Sequence, residues 1–143
     1  MKILLGLFLV LFISYFSPSV SASEIYCGVC NMPIPEHAKN HIILKKDSKT
    51  VDLCSAPCAS KIIKHDPNYK NSLVTDFNSP DKMIDGNLAY FLVKSEKIKS
   101  DMGSMVMPPY LAAFSTKKKA EEAQKKYGDG IVIYGLGEAL KAS

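Results

Sequence analysis

The sequence predicts an α+β protein, built as two consecutive ββαβ units with mainly antiparallel sheets and preceded by a cleaved signal peptide. Short runs of β-branched and aromatic residues, bounded by turn residues, alternate with two segments of helical periodicity. The order strand, strand, helix, strand occurs once in each half, although the residues of the halves do not match well. Helices packed on mainly antiparallel sheets define the α+β class.

The N-terminus has the features of a secretory signal peptide. Lys2 precedes an apolar run over residues 3–13, and the small residues of Val20-Ser21-Ala22 follow. The run is shorter than the about 20 apolar residues that span a bilayer, which favours cleavage after Ala22 over an uncleaved anchor. The first cysteine, Cys27, does not follow a small-residue lipobox. We therefore expect a periplasmic protein that is not a lipoprotein and has no stable membrane anchor after cleavage.

Three segments are predicted along the chain: the signal peptide at residues 1–22, a first ββαβ unit with a Cys-rich loop at 23–80, and a second with a Met-rich loop at 81–143. In the first unit, alternation and turn residues predict strands at 41–44, 50–53 and 72–77. Ser55 is the predicted N-cap of the intervening helix, which ends near His65.

The second unit is predicted to begin with a strand at 88–93, followed by a long loop at 99–109 and a strand at 110–114. Ser115 or Thr116 is expected to cap the next helix, and Gly128 to end it. A strand at 131–134 and a short helix at 136–140 complete the prediction.

Composition and motifs argue against several classes of function. The formal net charge is only +4, and the lysines are scattered apart from Lys117-Lys118-Lys119. We interpret this run as a solvated helix face, because a nucleic-acid surface would carry a basic stripe with interleaved aromatics or arginines. The sequence shows no Ser/His/Asp arrangement, paired carboxylates or glycine-rich phosphate loop. We therefore expect neither nucleic-acid binding nor an enzyme.

Sulfur-containing side chains are concentrated in three short segments. These are Cys27, Cys30 and Met32; Cys54 and Cys58 at the start of the predicted first helix; and Met102, Met105 and Met107 in the predicted long loop. Four cysteines in an exported chain ordinarily indicate two disulfides, and four thiols also suit a tetrahedral zinc site. A redox-active pair favours a helix N-terminus, which Cys54/Cys58 has and Cys27/Cys30 lacks.

The methionines distinguish among these alternatives. Three lie within six residues beside glycine, serine and proline, and this is not the spacing of a helical core. Thioethers suit Cu(I), which prefers soft donors, whereas zinc would leave the methionines without a role. Core packing is the alternative for some of them, and is our interpretation of Met83. His37 and His41 are weaker ligand candidates, and His65 is interpreted as structural.

With these motifs the chain resembles the NosL family, exported copper-binding accessory proteins for assembly of the copper centre of nitrous oxide reductase. The chain departs from the family in two ways, because members are usually lipoproteins and because Cys27, Cys54 and Cys58 exceed the minimal motif. The matching segments are Cys30-Asn31-Met32-Pro33-Ile34, Thr50-Val51-Asp52-Leu53-Cys54 through Cys58, Ile84-Asp85-Gly86-Asn87-Leu88-Ala89-Tyr90, Asp101-Met102-Gly103, and Pro109-Tyr110 with Ala120 and Gly128-Asp129-Gly130-Ile131-Val132.

The resemblance implies two ββαβ units with Cu(I) held between them by Cys30, Met32 and Met102. It also implies a periplasmic metallochaperone, a monomer or weak dimer, that passes Cu(I) to a copper-acceptor enzyme or its assembly complex during denitrification. The additional cysteines could add a second soft site or a redox-controlled lid. Two alternatives stay open: a thiol–disulfide redox protein, and a structural zinc or disulfide module that serves as an interaction domain.

Overall fold

A computed structural model describes residues 24–103 and 106–143 of the chain. The predicted signal peptide, with its cleavage site, therefore lies outside the described residues, and so does the candidate ligand Met105. Both stay predictions. Within the described ranges, the helices are all too short or too polar to cross a bilayer.

The first half contains the predicted strand, strand, helix and strand, with additional strands before and after them. Its elements are β1 (Ile25–Tyr26), β2 (Pro33–Ile34), β3 (Ile42–Lys46), β4 (Lys49–Leu53), α1 (Ala56–His65), β5 (Asn71–Asp76) and β6 (Ser79–Asp85).

The second half has the predicted order, with one additional short helix inside the predicted long loop. Its elements are β7 (Tyr90–Val93), α2 (Lys99–Met102), β8 (Leu111–Phe114), α3 (Lys117–Tyr127), β9 (Ile131–Tyr134) and α4 (Leu136–Ala142).

The two halves share one sheet of seven strands, in which the order is β4-β3-β5-β8-β7-β9 and β6 also pairs with β5. In each ββαβ unit the first strand of the unit is central: β3 lies between β4 and β5, and β7 lies between β8 and β9. A short parallel pairing of Asp76 with Ala113 joins the halves, and the Phe77 N–H donates to the Ala113 carbonyl over 2.8 Å. All other pairings are antiparallel among the described strands. The α+β prediction is confirmed.

Strand β6 and the β1–β2 pair were not predicted from the sequence. β6 carries Pro80, Asp81 and Lys82, a composition that does not indicate a strand, and its residues are half-buried or exposed. An edge strand tolerates proline because one side of its backbone needs no ladder partner. The expected boundary between residues 80 and 81 lies within β6, and the division into two domains stays a prediction.

The helix caps follow the sequence signals in two cases out of three. Thr116 accepts a hydrogen bond from the Lys119 backbone N–H, and Gly128 ends α3 at φ 73°, a left-handed conformation that glycine adopts without strain. Ser55 occupies the N-cap position of α1, but its side chain accepts no capping hydrogen bond from the described helix. The predicted cap position is therefore correct, but the capping hydrogen bond is missing, and the Ser55 hydroxyl instead accepts from the Cys54 thiol over 3.7 Å.

Two hydrophobic clusters cover the sheet. The larger includes the fully buried Leu53 and Phe91, together with three of the four cysteines. The smaller lies under α3 and contains Phe114, which is fully buried, and Met102. Met102 therefore belongs to a core as well as to the methionine-rich segment.

Truncation of Phe114 tests the smaller cluster. Phe114→Ala should lower the free energy of unfolding by about 3–5 kcal/mol, because it removes a fully buried ring from a packed core. Leu88→Ala is the control, since Leu88 is 62% exposed and its loss should change stability by less than about 0.5 kcal/mol. Urea denaturation measures both. Equal losses of stability in the two variants would contradict the assigned packing of Phe114.

Candidate metal centre

A tight turn over residues 27–32 brings the first two cysteines together. The Cys27 N–H donates to the Met32 carbonyl and the Asn31 N–H donates to the Cys27 carbonyl, both over 2.9 Å. Asn31 adopts φ 56°, a left-handed conformation that asparagine tolerates better than most residues. Strands β1 and β2 pair on either side of the turn. The chain thus reverses at the Cys-x-x-Cys motif.

Gly28 allows this turn to lie directly against β4. Its N–H donates to the Asp52 carbonyl over 2.8 Å, and a Cβ at this position would lie 2.6 Å from Val51 Cγ1. Valine is stiff at χ1, so the contact leaves little room for a larger residue. Gly28 was not among the predicted site residues, although a glycine directly after the first cysteine of the motif was a signal for this close approach.

The other two cysteines lie at the start of α1. Cys54 follows the last residue of β4, and Cys58 is in the first helical turn beside Pro57. Asn40 donates a side-chain hydrogen bond to the Cys54 carbonyl and so connects the segment before β3 to this junction. The first N–H groups of a helix favour negative charge, which suits thiolates at this position.

The four cysteine sulfurs form one cluster, in which all Sγ atoms lie within 4.8 Å of one another. Cys30 Sγ is 3.4 Å from Cys54 Sγ, which is 3.8 Å from Cys58 Sγ. All four are free thiols, separated by much more than the about 2.05 Å of a disulfide bond. Cys27, Cys54 and Cys58 are 2–5% exposed, whereas Cys30 is exposed.

The buried thiols differ in pKa because their surroundings differ. Burial acts to raise the pKa of Cys27, but hydrogen bonds to its sulfur from the amides of Cys30, Cys54 and Val29 and from the Cys30 thiol lower that pKa to about 7. Burial raises the pKa values of Cys54 and Cys58, although Ser55 partly opposes this effect. Cys27 is therefore the first of these three to become a thiolate as pH rises.

A cavity of about 330 Å³ adjoins the thiol cluster at Cys54. Met32 lines it from the first half, and Met102 and Val106 line it from the second. Two of the predicted methionine ligands and one cysteine therefore border a common space between the halves.

Met102 is held in place by α2, so the prediction of an irregular loop from residue 99 onwards is corrected at its start. Met102 is 4% exposed and packs in the smaller core cluster. The Tyr127 hydroxyl donates to the Asp101 carboxylate, and Lys126 Nζ lies 3.6 Å from it. These contacts hold the pKa of Asp101 below its ordinary value and tie α2 to α3.

The remaining methionines lie elsewhere. Met107 is on the surface and 37% exposed, beyond the lining of the cavity in the described part of the chain. Met83 accepts a hydrogen bond from the Thr75 hydroxyl over 3.3 Å, which agrees with its interpretation as a packing residue.

The histidines are also distinguished by their contacts. His41 Nε2 is 2.7 Å from Asp52 Oδ1 and its side chain is only 12% exposed, so this ring nitrogen is already paired. His37 borders the cavity, and its backbone has a φ of 63°. Its Nε2 lies 3.6 Å from Glu36 Oε1. His65 is the last residue of α1.

Comparison with known proteins identifies the family of this chain. The sequence matches the NosL family over residues 19–136. The chain belongs to the NosL family. It is similar to a solved structure described as the copper chaperone NosL from Shewanella denitrificans, with 27% sequence identity and a TM-score of 0.59 over 76% of this chain and 85% of that chain. No curated protein matches it significantly.

Titration of the thiols in this NosL-family protein tests the electrostatics of the cluster. In the reduced, metal-free protein, thiolate ultraviolet absorbance should rise through a step with a midpoint near pH 7, well below the ordinary pKa of 9.0. Cys27→Ser should remove this step, because the amide hydrogen bonds act on that sulfur. A wild-type titration in which every thiol ionises near its ordinary pKa would contradict the assignment.

Proposed function

We propose that this protein is an exported carrier that binds Cu(I) and delivers it to a copper enzyme, nitrous oxide reductase, without catalysing a reaction. One observation carries the proposal: the thiol cluster and the cavity between Met32 and Met102 adjoin each other at Cys54. Membership of the NosL family and the similarity to a copper chaperone support it.

The donor chemistry favours Cu(I) as the cargo. Thiolates and thioethers are soft ligands that select Cu(I), whereas carboxylates and carbonyls suit harder ions. The cavity borders two thioethers and one thiol. Its lining also includes the exposed His37 and Glu36, and Asp101, whose carboxylate is already paired with Tyr127 and Lys126. A soft monovalent ion therefore fits this lining better than a hard divalent one.

We assign the cargo to Cys30, Met32 and Met102. Cys30 is the exposed member of the thiol cluster and Met32 is half-buried, so the donors of an acceptor protein can approach from that side. Met102 belongs to the other half of the chain, and a small movement between the halves would change access to the ion. Exchange of one soft donor for another can then transfer Cu(I) without releasing it into solution.

The location and the client belong to the same proposal. The predicted signal peptide supports export to the periplasm, where a carrier would meet nitrous oxide reductase or its assembly complex. The resemblance to the NosL family supports that client. A monomer or weak dimer would leave the exposed Cys30 available to it.

A thiol–disulfide enzyme is the second candidate, and the lowered pKa of Cys27 is the observation in its favour. Attack on the disulfide of another protein requires an accessible thiolate. Cys27 is only 2% exposed. The geometry therefore favours binding over redox catalysis.

Competition titration tests the cargo site. Cys30→Ser and Met102→Leu should each weaken Cu(I) binding to the reduced protein by about tenfold or more, which corresponds to about 1.4 kcal/mol or more per ligand. A chelator of known Cu(I) affinity reports the binding. Leucine conserves the volume of methionine, so the second variant removes the sulfur with little disturbance of the packing.

Met83→Leu is the matched control, because Met83 is half-buried and lies outside the cavity lining. Its Cu(I) affinity should equal that of the wild type. Unchanged affinity in both Cys30→Ser and Met102→Leu would rule out the assigned site. Rapid reduction of insulin disulfides by the protein would support the thiol–disulfide alternative instead.

A further inference from the structure

Three of the four cysteines are poorly placed to exchange cargo. Cys27, Cys54 and Cys58 are 2–5% exposed and belong to the larger core cluster. A carrier must present its ion to an acceptor, yet these residues are almost completely shielded from solvent. Catalytic and exchangeable metal sites keep an open position, whereas structural sites are closed. Burial therefore points to a separate task for these thiols.

The separations of the four sulfurs suit a tetrahedral ion. A zinc ion at about 2.3 Å from each sulfur sets neighbouring sulfurs about 3.8 Å apart. The cluster has Sγ distances of 3.4 Å between Cys30 and Cys54 and 3.8 Å between Cys54 and Cys58, and its limit is 4.8 Å. Four thiolates in tetrahedral geometry are typical of zinc or iron–sulfur centres.

Backbone groups on both sides of the cluster can stabilise the negative charge of such a site. The amides of Val29, Cys30 and Cys54 donate towards the Cys27 sulfur. The N-terminus of α1 lies at Cys54 and Cys58, and its N-cap side chain leaves the first turn without a capping hydrogen bond in the described helix. Helix N-termini stabilise anions, and a thiolate set supplies that charge.

We propose that Cys27, Cys30, Cys54 and Cys58 hold a resident Zn²⁺, in a site separate from the Cu(I) cargo, with the exposed Cys30 shared by the two sites. The zinc ties the N-terminal turn to the end of β4 and the start of α1. It also keeps the four thiols from pairing as disulfides in an oxidising compartment. The zinc site does not depend on Cu(I) carriage, so either assignment can fail without the other.

Native mass spectrometry of the protein expressed from its full-length sequence tests this directly. The reduced protein is supplied with Zn²⁺ and then with Cu(I). We expect one zinc per chain, retained when one Cu(I) binds. Replacement of the zinc by Co²⁺ should give the absorption spectrum of a tetrahedral thiolate centre. Failure to bind zinc, one-for-one displacement of zinc by Cu(I), or iron as the retained metal would each overturn the proposal.

Two variants separate the sites. Cys58→Ser should weaken zinc binding by more than about 100-fold, since loss of an outer-shell partner alone costs 10–100-fold, and it should leave Cu(I) affinity within about threefold. Met102→Leu should do the reverse. Equal losses of both metals in each variant would show a single site. If Cys58→Ser does not fold, the metal stoichiometry of the wild type decides.

Discussion

The close contact between the turn over residues 27–32 and the end of β4 is the constraint on which the site depends. Gly28 makes the contact possible, because its N–H reaches the Asp52 carbonyl and its missing side chain leaves space for Val51. Cys54 directly follows that strand, so the same contact sets the distance between the two cysteine pairs. The contact thereby brings together four cysteines whose Sγ atoms all lie within 4.8 Å of one another.

The shared sheet extends this local arrangement into a site between two halves. The parallel pairing of Asp76 with Ala113 fixes β5 beside β8, and α2 then places Met102 against the smaller core cluster. Met102 lines the cavity that Met32 and Cys54 enter from the first half. Thioether donors on opposite sides of one cavity would respond to small relative movements of the halves, as a carrier that must release its ion requires. The buried thiols would respond much less, because they belong to the larger core.

Much of the fold could be predicted from the sequence, since alternation, the Thr116 cap and the Gly128 stop are local signals that the structure retains. β6 could not, because its polar residues occupy an edge where pairing with β5 decides the conformation. For the site, cysteine spacing identified the candidates but left disulfide, zinc and copper open. The distance between the two cysteine pairs depends on the contact of Gly28 with Val51. This is a tertiary contact, and no spacing pattern in the sequence reveals it.

Copper-edge X-ray absorption of the Cu(I)-loaded protein tests whether sulfurs from both halves of the chain hold the cargo. We expect a first coordination shell of sulfur alone, which loses one sulfur in Met102→Leu and one in Cys30→Ser and is unchanged in Met83→Leu. A shell with nitrogen or oxygen ligands in the wild type, or a spectrum that Met102→Leu leaves unaltered, would contradict it.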